Sequence, residues 1–120
     1  MKKIALMLAA CLLSGPALAG GSFAPPAKYD GPSKIKTYII AAPVSQLQKH
    51  CKPWRTSALQ VFFGCSFIYD NPRRCVVFIP DKSFPNWAWP EGGTLIVRPG
   101  DVLRHERGHC NGWPSNHPRK

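Results

Sequence analysis

The feature that most constrains this chain is a pair of histidines four residues apart, His105 and His109, with Glu106 directly after the first. Residues four apart share one face of an α-helix, so a helix here aims both imidazoles at one point, as a tetrahedral metal ion requires. Glu106 lies about 100° further round the helix axis. There its carboxylate stands beside such an ion and can accept a proton from water. The run predicts a helix with a metal-binding pair and a candidate catalytic base.

A third ligand is expected from the residues that follow. Gly112, three residues after His109, can end the helix in a left-handed turn and reverse the chain. Catalytic zinc sites usually hold three protein ligands, and no Asp or Glu follows Glu106. His117 is therefore the predicted third ligand. The alternatives are a metal that only holds the fold, a two-histidine site with His117 in an unstructured tail, and a metal-free surface helix.

The spacing of His105, Glu106, His109 and Gly112 resembles the zincin metallopeptidases, and among them the metzincin pattern H-E-x-x-H-x-x-G-x-x-H. The chain departs from that pattern at its end: Ser115 stands where the third histidine is expected, and no Met-turn follows. The likeness covers roughly a dozen residues. It implies Zn²⁺ as cofactor, Glu106 as general base, and a peptide or protein as substrate.

The N-terminal 19 residues have the pattern of a signal peptide. A basic pair at residues 2–3 precedes an apolar run at residues 4–13, which is too short to span a bilayer. Residues 17–19 read Ala-Leu-Ala, so we expect cleavage after Ala19 and a periplasmic or secreted product. The alternative is a lipoprotein anchored to the membrane at Cys11, since the preceding residues resemble a lipobox.

The mature chain is expected to hold one domain at residues 35–120, preceded by a flexible leader rich in Pro and Gly at residues 20–34. A domain of this size buries a low fraction of its surface and needs reinforcement. An even number of cysteines in an exported domain indicates disulfides. We expect two, formed by Cys51, Cys65, Cys75 and Cys110.

A hairpin turn predicted at residues 70–73 limits how these cysteines pair. It places Cys75 opposite Ile68, so that Cys75 and Cys65 lie about 10 Å apart along the strands, beyond the reach of a disulfide. Two arrangements remain, Cys51–Cys65 with Cys75–Cys110 or Cys51–Cys75 with Cys65–Cys110. Both join the metal helix to the hairpin. A thiolate ligand at Cys110 is the other alternative.

Hydrophobic alternation and turn residues predict a small α+β domain. In this zincin-like fold, a short mixed or antiparallel sheet packs on the HExxH helix. The metal helix is expected to begin with Asp101 as N-cap, to turn Leu103 and Cys110 toward the sheet, and to turn Arg104, Arg107 and Gly108 toward solvent. Strands are predicted at residues 35–41, 58–69, 75–79 and 94–97, and a short helix at residues 46–50 with Ser45 as N-cap.

Three tryptophans are candidate substrate contacts. Trp87 and Trp89 face the same way in an extended chain and either line the rim of a cleft or cover the small core. Trp113 is expected to pack beside the helix end and to shield one side of the site.

The formal net charge is +10, or +8 once Lys2 and Lys3 are lost with the signal peptide.

The basic residues are scattered and form no nucleic-acid motif. They indicate either attraction to anionic envelope polymers or an ordinary solvated surface. The sequence therefore predicts an exported, monomeric, zinc-dependent peptidase-like hydrolase that acts on a peptide or protein. A peptide of the cell envelope is one candidate substrate. The alternative is a non-catalytic envelope binding module, stabilised by metal and disulfides, which has no use for Glu106.

Overall fold

The computed structural model describes residues 24–86 and 95–119, which form a small α+β fold with two helices and a mixed sheet. The predicted signal peptide, Cys11, Trp87 and Trp89 lie outside these residues. Two short 3-10 turns cover Ala27–Tyr29 and Lys52–Trp54. The main elements in chain order are β1 (Lys36–Ala42), α1 (Val44–His50), β2 (Cys65–Tyr69), β3 (Arg74–Pro80), β4 (Phe84–Asn86), β5 (Leu95–Val97) and α2 (Pro99–Cys110).

The central sheet has the strand order β1-β3-β2. β1 runs parallel to β3, and β2 runs antiparallel to it. The hairpin register is the predicted one, because Ile68 pairs with Cys75. β4 and β5 form a separate antiparallel pair that leads into α2.

The two helices pack on opposite faces of the sheet. Successive side chains of a strand point to opposite faces. Cys75, Val77 and Ile79 of β3 enter the core beside α2, whereas Phe78 packs against the cluster beneath α1. Each face carries one disulfide, Cys75–Cys110 toward α2 and Cys51–Cys65 at the end of α1. The four cysteines therefore pair as expected, in the first of the two predicted arrangements.

The strand predicted from residue 58 is shorter than expected, because β2 begins only at Cys65. The side-chain amide of Gln48 in α1 bonds both the N–H and the C=O of Phe62, at 2.9 and 2.8 Å, and so occupies groups that a neighbouring strand would pair. Leu59 and Val61 are exposed. The apolar alternation at residues 58–63 thus reflects a loop held by a helix side chain.

The helix starts also differ from expectation. Arg98, and not Asp101, is the N-cap of α2, with Pro99 in the first turn, where its fixed φ suits a helix start. Asp101 lies in that turn, where a carboxylate favours the helix dipole. α1 begins at Val44 after Pro43, so Ser45 is inside the helix.

No helix among the described residues is long and apolar enough to cross a membrane.

Candidate metal centre

The C-terminal end of α2 turns back on itself as Gly112 predicted. Gly112 has a φ of +104°, a conformation that costs other residues free energy. Its N–H donates to the carbonyl of His109 at 3.0 Å, and the N–H of Trp113 donates to the carbonyl of Gly108 at 2.9 Å. This pair of bonds is a Schellman motif. A further turn bonds the His117 N–H to the Pro114 carbonyl at 2.9 Å and returns His117 to the helix.

Three imidazoles meet at this reversal. The Nε2 atom of His117 lies 3.1 Å from Nε2 of His105 and 3.1 Å from Nε2 of His109. One ring nitrogen from each histidine falls within 4.8 Å of the others. Nitrogens bound at about 2.0 Å to a tetrahedral zinc are separated by about 3.3 Å. The three histidines can therefore hold a metal ion with little movement.

The ring of His109 is fixed in the form that a metal needs. Its Nδ1 lies 2.7 Å from the carbonyl oxygen of Trp113. A carbonyl only accepts hydrogen bonds, so Nδ1 carries the proton and Nε2 keeps a free lone pair. Metal-binding histidines commonly have their second nitrogen held in this way.

Local electrostatics favour neutral imidazoles. Partial burial lowers the pKa of His109, against a smaller opposing effect of its bond to Trp113. Partial burial of the His117 ring, with the positive charges of His109 and Arg119 nearby, lowers its pKa to about 4. Only the neutral imidazole binds a metal. Both rings are thus in the ligand form near neutral pH.

Glu106 lies between α2 and the sheet. It is 7% exposed, and its carboxyl accepts a hydrogen bond from the Ser66 hydroxyl of β2. Burial raises its pKa to about 7, and the bond from Ser66 partly offsets that effect. Among the described residues, the compact group of ligand atoms contains the three imidazoles and not Glu106. Glu106 is therefore not one of the candidate ligands, and its role as an acid–base group stays a prediction.

Trp113 forms a wall of the site. Its side chain is 3% exposed, and its ring stacks on His109 at 5.0 Å with 12° between the planes. The edges of His105 and His117 meet the same ring at 5.0 and 4.9 Å. The indole N–H donates to the carbonyl of Pro118 at 2.7 Å, one residue beyond His117. Trp113 thus joins the helix to the returning tail, while a contact between Trp113 and substrate stays a prediction.

A segment from the other end of the chain covers this helix. Residues 24–34, which we name the strap, belong to the predicted leader and contact α2. Pro25 packs over Gly108, where an added Cβ would come within 2.6 Å of it. Arg119 donates to the carbonyl of Ala24 at 2.8 Å and also lies over the ring of Trp113. The strap therefore holds both the helix and the tail that carries His117.

Two polar anchors complete the strap. The side chain of Asn111 donates to the carbonyl of Tyr29 at 2.9 Å and accepts from the N–H of Lys34 at 2.8 Å. Arg104 forms an ion pair with Asp30, which lowers the pKa of that carboxyl. The helix face expected to meet only solvent is thus partly covered: Gly108 is buried, and Arg104 has a partner.

The strap was not found by sequence reasoning. Asp30, Arg104 and Asn111 follow no periodic pattern, because their partners lie 74 to 82 positions away. The one available signal was Gly108. A glycine inside a helix costs about 1 kcal/mol relative to alanine, so its presence can indicate a close approach by another segment.

Comparison with protein-family models, curated proteins and solved structures finds no match to this chain. The likeness to zincins therefore rests on the sequence motif alone. What the structure shows is a three-imidazole group that can bind a metal ion, on an α+β fold with two disulfides. Disulfides of this kind fit an extracellular protein.

Proposed function

We propose that this protein is an exported zinc-dependent hydrolase that cleaves peptide bonds. The observation that carries the proposal is the position of the His117 Nε2 atom, 3.1 Å from the Nε2 atoms of both His105 and His109. Those two histidines lie on the helix that also bears Glu106. Three neutral imidazoles suit zinc. A set of three protein ligands leaves a fourth position for water or substrate, as in catalytic sites.

The chain supplies the acid–base chemistry. A zinc ion in the site would act as a Lewis acid toward the scissile carbonyl and toward water. Glu106 follows His105 directly on the helix, and Ser66 fixes its carboxyl. It accepts a proton from the attacking water and passes it to the leaving amine. A raised pKa suits both halves of this transfer.

The proposed binding place for an extended peptide is an edge of β5. β5 (Leu95–Val97) directly precedes α2 and pairs with β4 along one of its edges. Backbone pairing to its other edge would align a substrate as an added strand. Trp87 and Trp89 come from the connection between β4 and β5, and they are predicted either to line the rim of a substrate cleft or to cover the core.

A peptidase assay on matched variants tests the proposal. We expect the purified mature protein to hold one zinc per chain and to cleave a mixed peptide library. Glu106→Gln should keep the zinc and lose turnover by at least about 100-fold, the usual scale of general acid–base catalysis. Asp101→Asn removes an exposed carboxylate from the same helix and should leave both properties unchanged. Zinc without cleavage in the wild type would contradict the enzymatic proposal.

The second candidate is a non-catalytic, metal-stabilised binding module of the cell envelope. The burial of Glu106 and its bond to Ser66 favour it, because a buried hydrogen-bonded carboxyl can serve the core alone. In that case the wild type and Glu106→Gln hold zinc equally and neither cleaves peptides.

Intact-mass analysis of the exported protein tests its processing: loss of residues 1–19 supports our prediction, and diacylglycerol on Cys11 supports the lipoprotein alternative.

A further inference from the structure

The face of the sheet that carries α1 is only partly covered by that helix. α1 and the Cys51–Cys65 disulfide pack over the end of the sheet marked by Ala42, Phe78 and Cys65. His50, the last residue of α1, stacks on Phe78 at 4.6 Å. On the same face, the rows of paired residues further from that end do not belong to the cluster that α1 covers. Only Phe67, which is partly buried, packs against the cluster. We call these rows, with Trp54, the open face: Lys36, Tyr38, Trp54, Phe67, Tyr69, Arg74 and Val76.

Strand pairing places these side chains next to one another. Tyr38, Val76 and Phe67 pair in one row across the three strands, and Lys36, Arg74 and Tyr69 pair in the next. Paired residues point to the same side of a sheet. Since β1 and β2 flank β3, the row from Tyr38 to Phe67 spans about 10 Å.

Aromatic rings are exposed along this surface. Tyr38 is 47% exposed, and Tyr69 and Trp54 are each 44% exposed. Trp54 packs against Phe67 at 6.0 Å, and its indole N–H already donates to the carbonyl of Ser66 at 3.0 Å. The ring surface of Trp54, and not its N–H group, is therefore what remains for a ligand.

The cations of the open face lie beside the rings. The Nζ atom of Lys36 is 5.6 Å from the centre of the Tyr38 ring. The guanidinium of Arg74 is 5.0 Å from the centre of the Tyr69 ring. Cations above aromatic rings are held by the ring quadrupole. The surface therefore alternates flat apolar rings with fixed positive charges.

The same region lacks negative charge. Residues 31–69, which include β1, α1 and β2, contain no Asp or Glu. Two acids flank this stretch: Asp30 is paired with Arg104, and Asp70, which follows β2, is paired with Arg73 at 2.9 Å. The basic residues of that stretch are Lys34, Lys36, Lys49, Lys52 and Arg55. Such a separation of charge favours an anionic partner.

We infer that the open face binds an anionic polysaccharide, one whose sugar rings carry carboxylate or phosphate groups. Sugar rings stack their C–H faces on aromatic side chains, and Lys36 and Arg74 would pair with the charged groups. An acidic peptide would use the cations but leave the flat rings of Tyr38 and Trp54 without a matching surface. The inference does not depend on the proposed hydrolase, because the open face and α2 lie on opposite sides of the sheet.

Binding of polygalacturonate, measured by isothermal titration calorimetry on the mature protein, tests the inference. Polyglutamate provides a similar charge density without sugar rings, and we expect it to bind at least about fivefold more weakly. Tyr38→Ala and Trp54→Ala should each weaken polygalacturonate binding by about fivefold or more. The double variant Lys36→Gln, Arg74→Gln should reduce binding further and flatten its dependence on salt.

Matched controls keep the outcome interpretable. Tyr38→Phe keeps the ring and should bind as the wild type does, which separates a lost contact from a folding defect. Ile68→Ser and Arg107→Gln alter the side of the sheet that faces α2 and should change nothing. Equal binding of polyglutamate, or no effect of the ring variants, would overturn the inference. So would tighter binding of single-stranded DNA that the same ring variants abolish, because that result assigns the face to nucleic acid.

Discussion

The two parts of the candidate metal centre are held in different ways. His105 and His109 belong to α2, which backbone hydrogen bonds and the Cys75–Cys110 disulfide fix against the sheet. His117 belongs to the tail after Gly112, which contains no helix or strand in the described residues. Its position depends on individual bonds, from the indole of Trp113 to Pro118 and from Arg119 to Ala24.

This difference shows how a small domain can complete a site that one helix cannot supply. A helix offers two ligands at no extra cost, because positions four apart already share a face. The third must come from outside, and its ordering entropy opposes binding unless other contacts fix it first. Here the strap bonds to the tail across 95 positions of sequence. The affinity for metal should therefore depend on residues that never touch it.

The helix part of the site gives the largest expected effect. Removing His105 or His109 leaves two ligands at most and also removes the rigid half of the chelate. We expect each of His105→Ala and His109→Ala to lower zinc affinity by more than about 1,000-fold. Competition with a chelator measures this, with Arg107→Ala on the same helix as the control. Zinc content equal to that of the wild type in both variants would exclude the site.

Glu106 gives an intermediate effect, on stability. In the metal-free protein, the pKa of the Glu106 carboxyl is raised to about 7 from an ordinary 4.5. Between pH 4.5 and pH 7, this carboxyl is therefore ionised in the unfolded chain but still protonated in the folded chain. The free energy of unfolding contributed by Glu106 therefore falls as pH rises from 5 to 8, by on the order of 1–3 kcal/mol.

Chelator-treated wild type and Glu106→Gln, unfolded in urea at pH 5 and pH 8, isolate this effect. His109 and His117 have lowered pKa values and act in the opposite sense, but they are present in both proteins. The stability of the wild type relative to the variant should decline toward pH 8. A difference that stays constant with pH would show that Glu106 is not buried as described.

The tail's supports give the smallest expected effect. Arg119→Gln removes the bond to Ala24 and the cation over Trp113, but leaves all three imidazoles. We expect zinc affinity to fall by up to about tenfold, the lower end of effects from residues that orient ligands. Arg73→Gln, which breaks an exposed ion pair remote from the site, serves as control. If Arg119→Gln binds zinc as Arg73→Gln does, the strap does not position the tail.

The sequence predicted the features that depend on local pattern. The spacing of His105 and His109, the left-handed turn at Gly112 and the pairing of Ile68 with Cys75 each follow from helix, cap or hairpin geometry over a few residues. The same hairpin register excluded one disulfide pairing. The α+β class followed from hydrophobic alternation, which left open whether the sheet was mixed or antiparallel.

The errors arose where a distant contact decided the local structure. Gln48 bonds the backbone of Phe62 and so replaces a strand with a loop. Pro99, and not Asp101, starts α2. The strap uses partners too far apart in sequence for any periodicity to reveal them. The position of His117 depends on that strap. The spacing of the histidines therefore predicted His117 as a ligand but not the contacts that hold it in place.

The central claim is that three imidazoles, and not two, form the metal site. Zinc titration of the wild type, His117→Ala and His50→Ala against a competing chelator tests it directly, since His50 is an exposed histidine on the other side of the sheet. We predict one zinc per chain in the wild type and in His50→Ala, and an affinity lower by at least about 100-fold in His117→Ala. Equal affinity in all three proteins would contradict the three-histidine site and the proposed hydrolase with it.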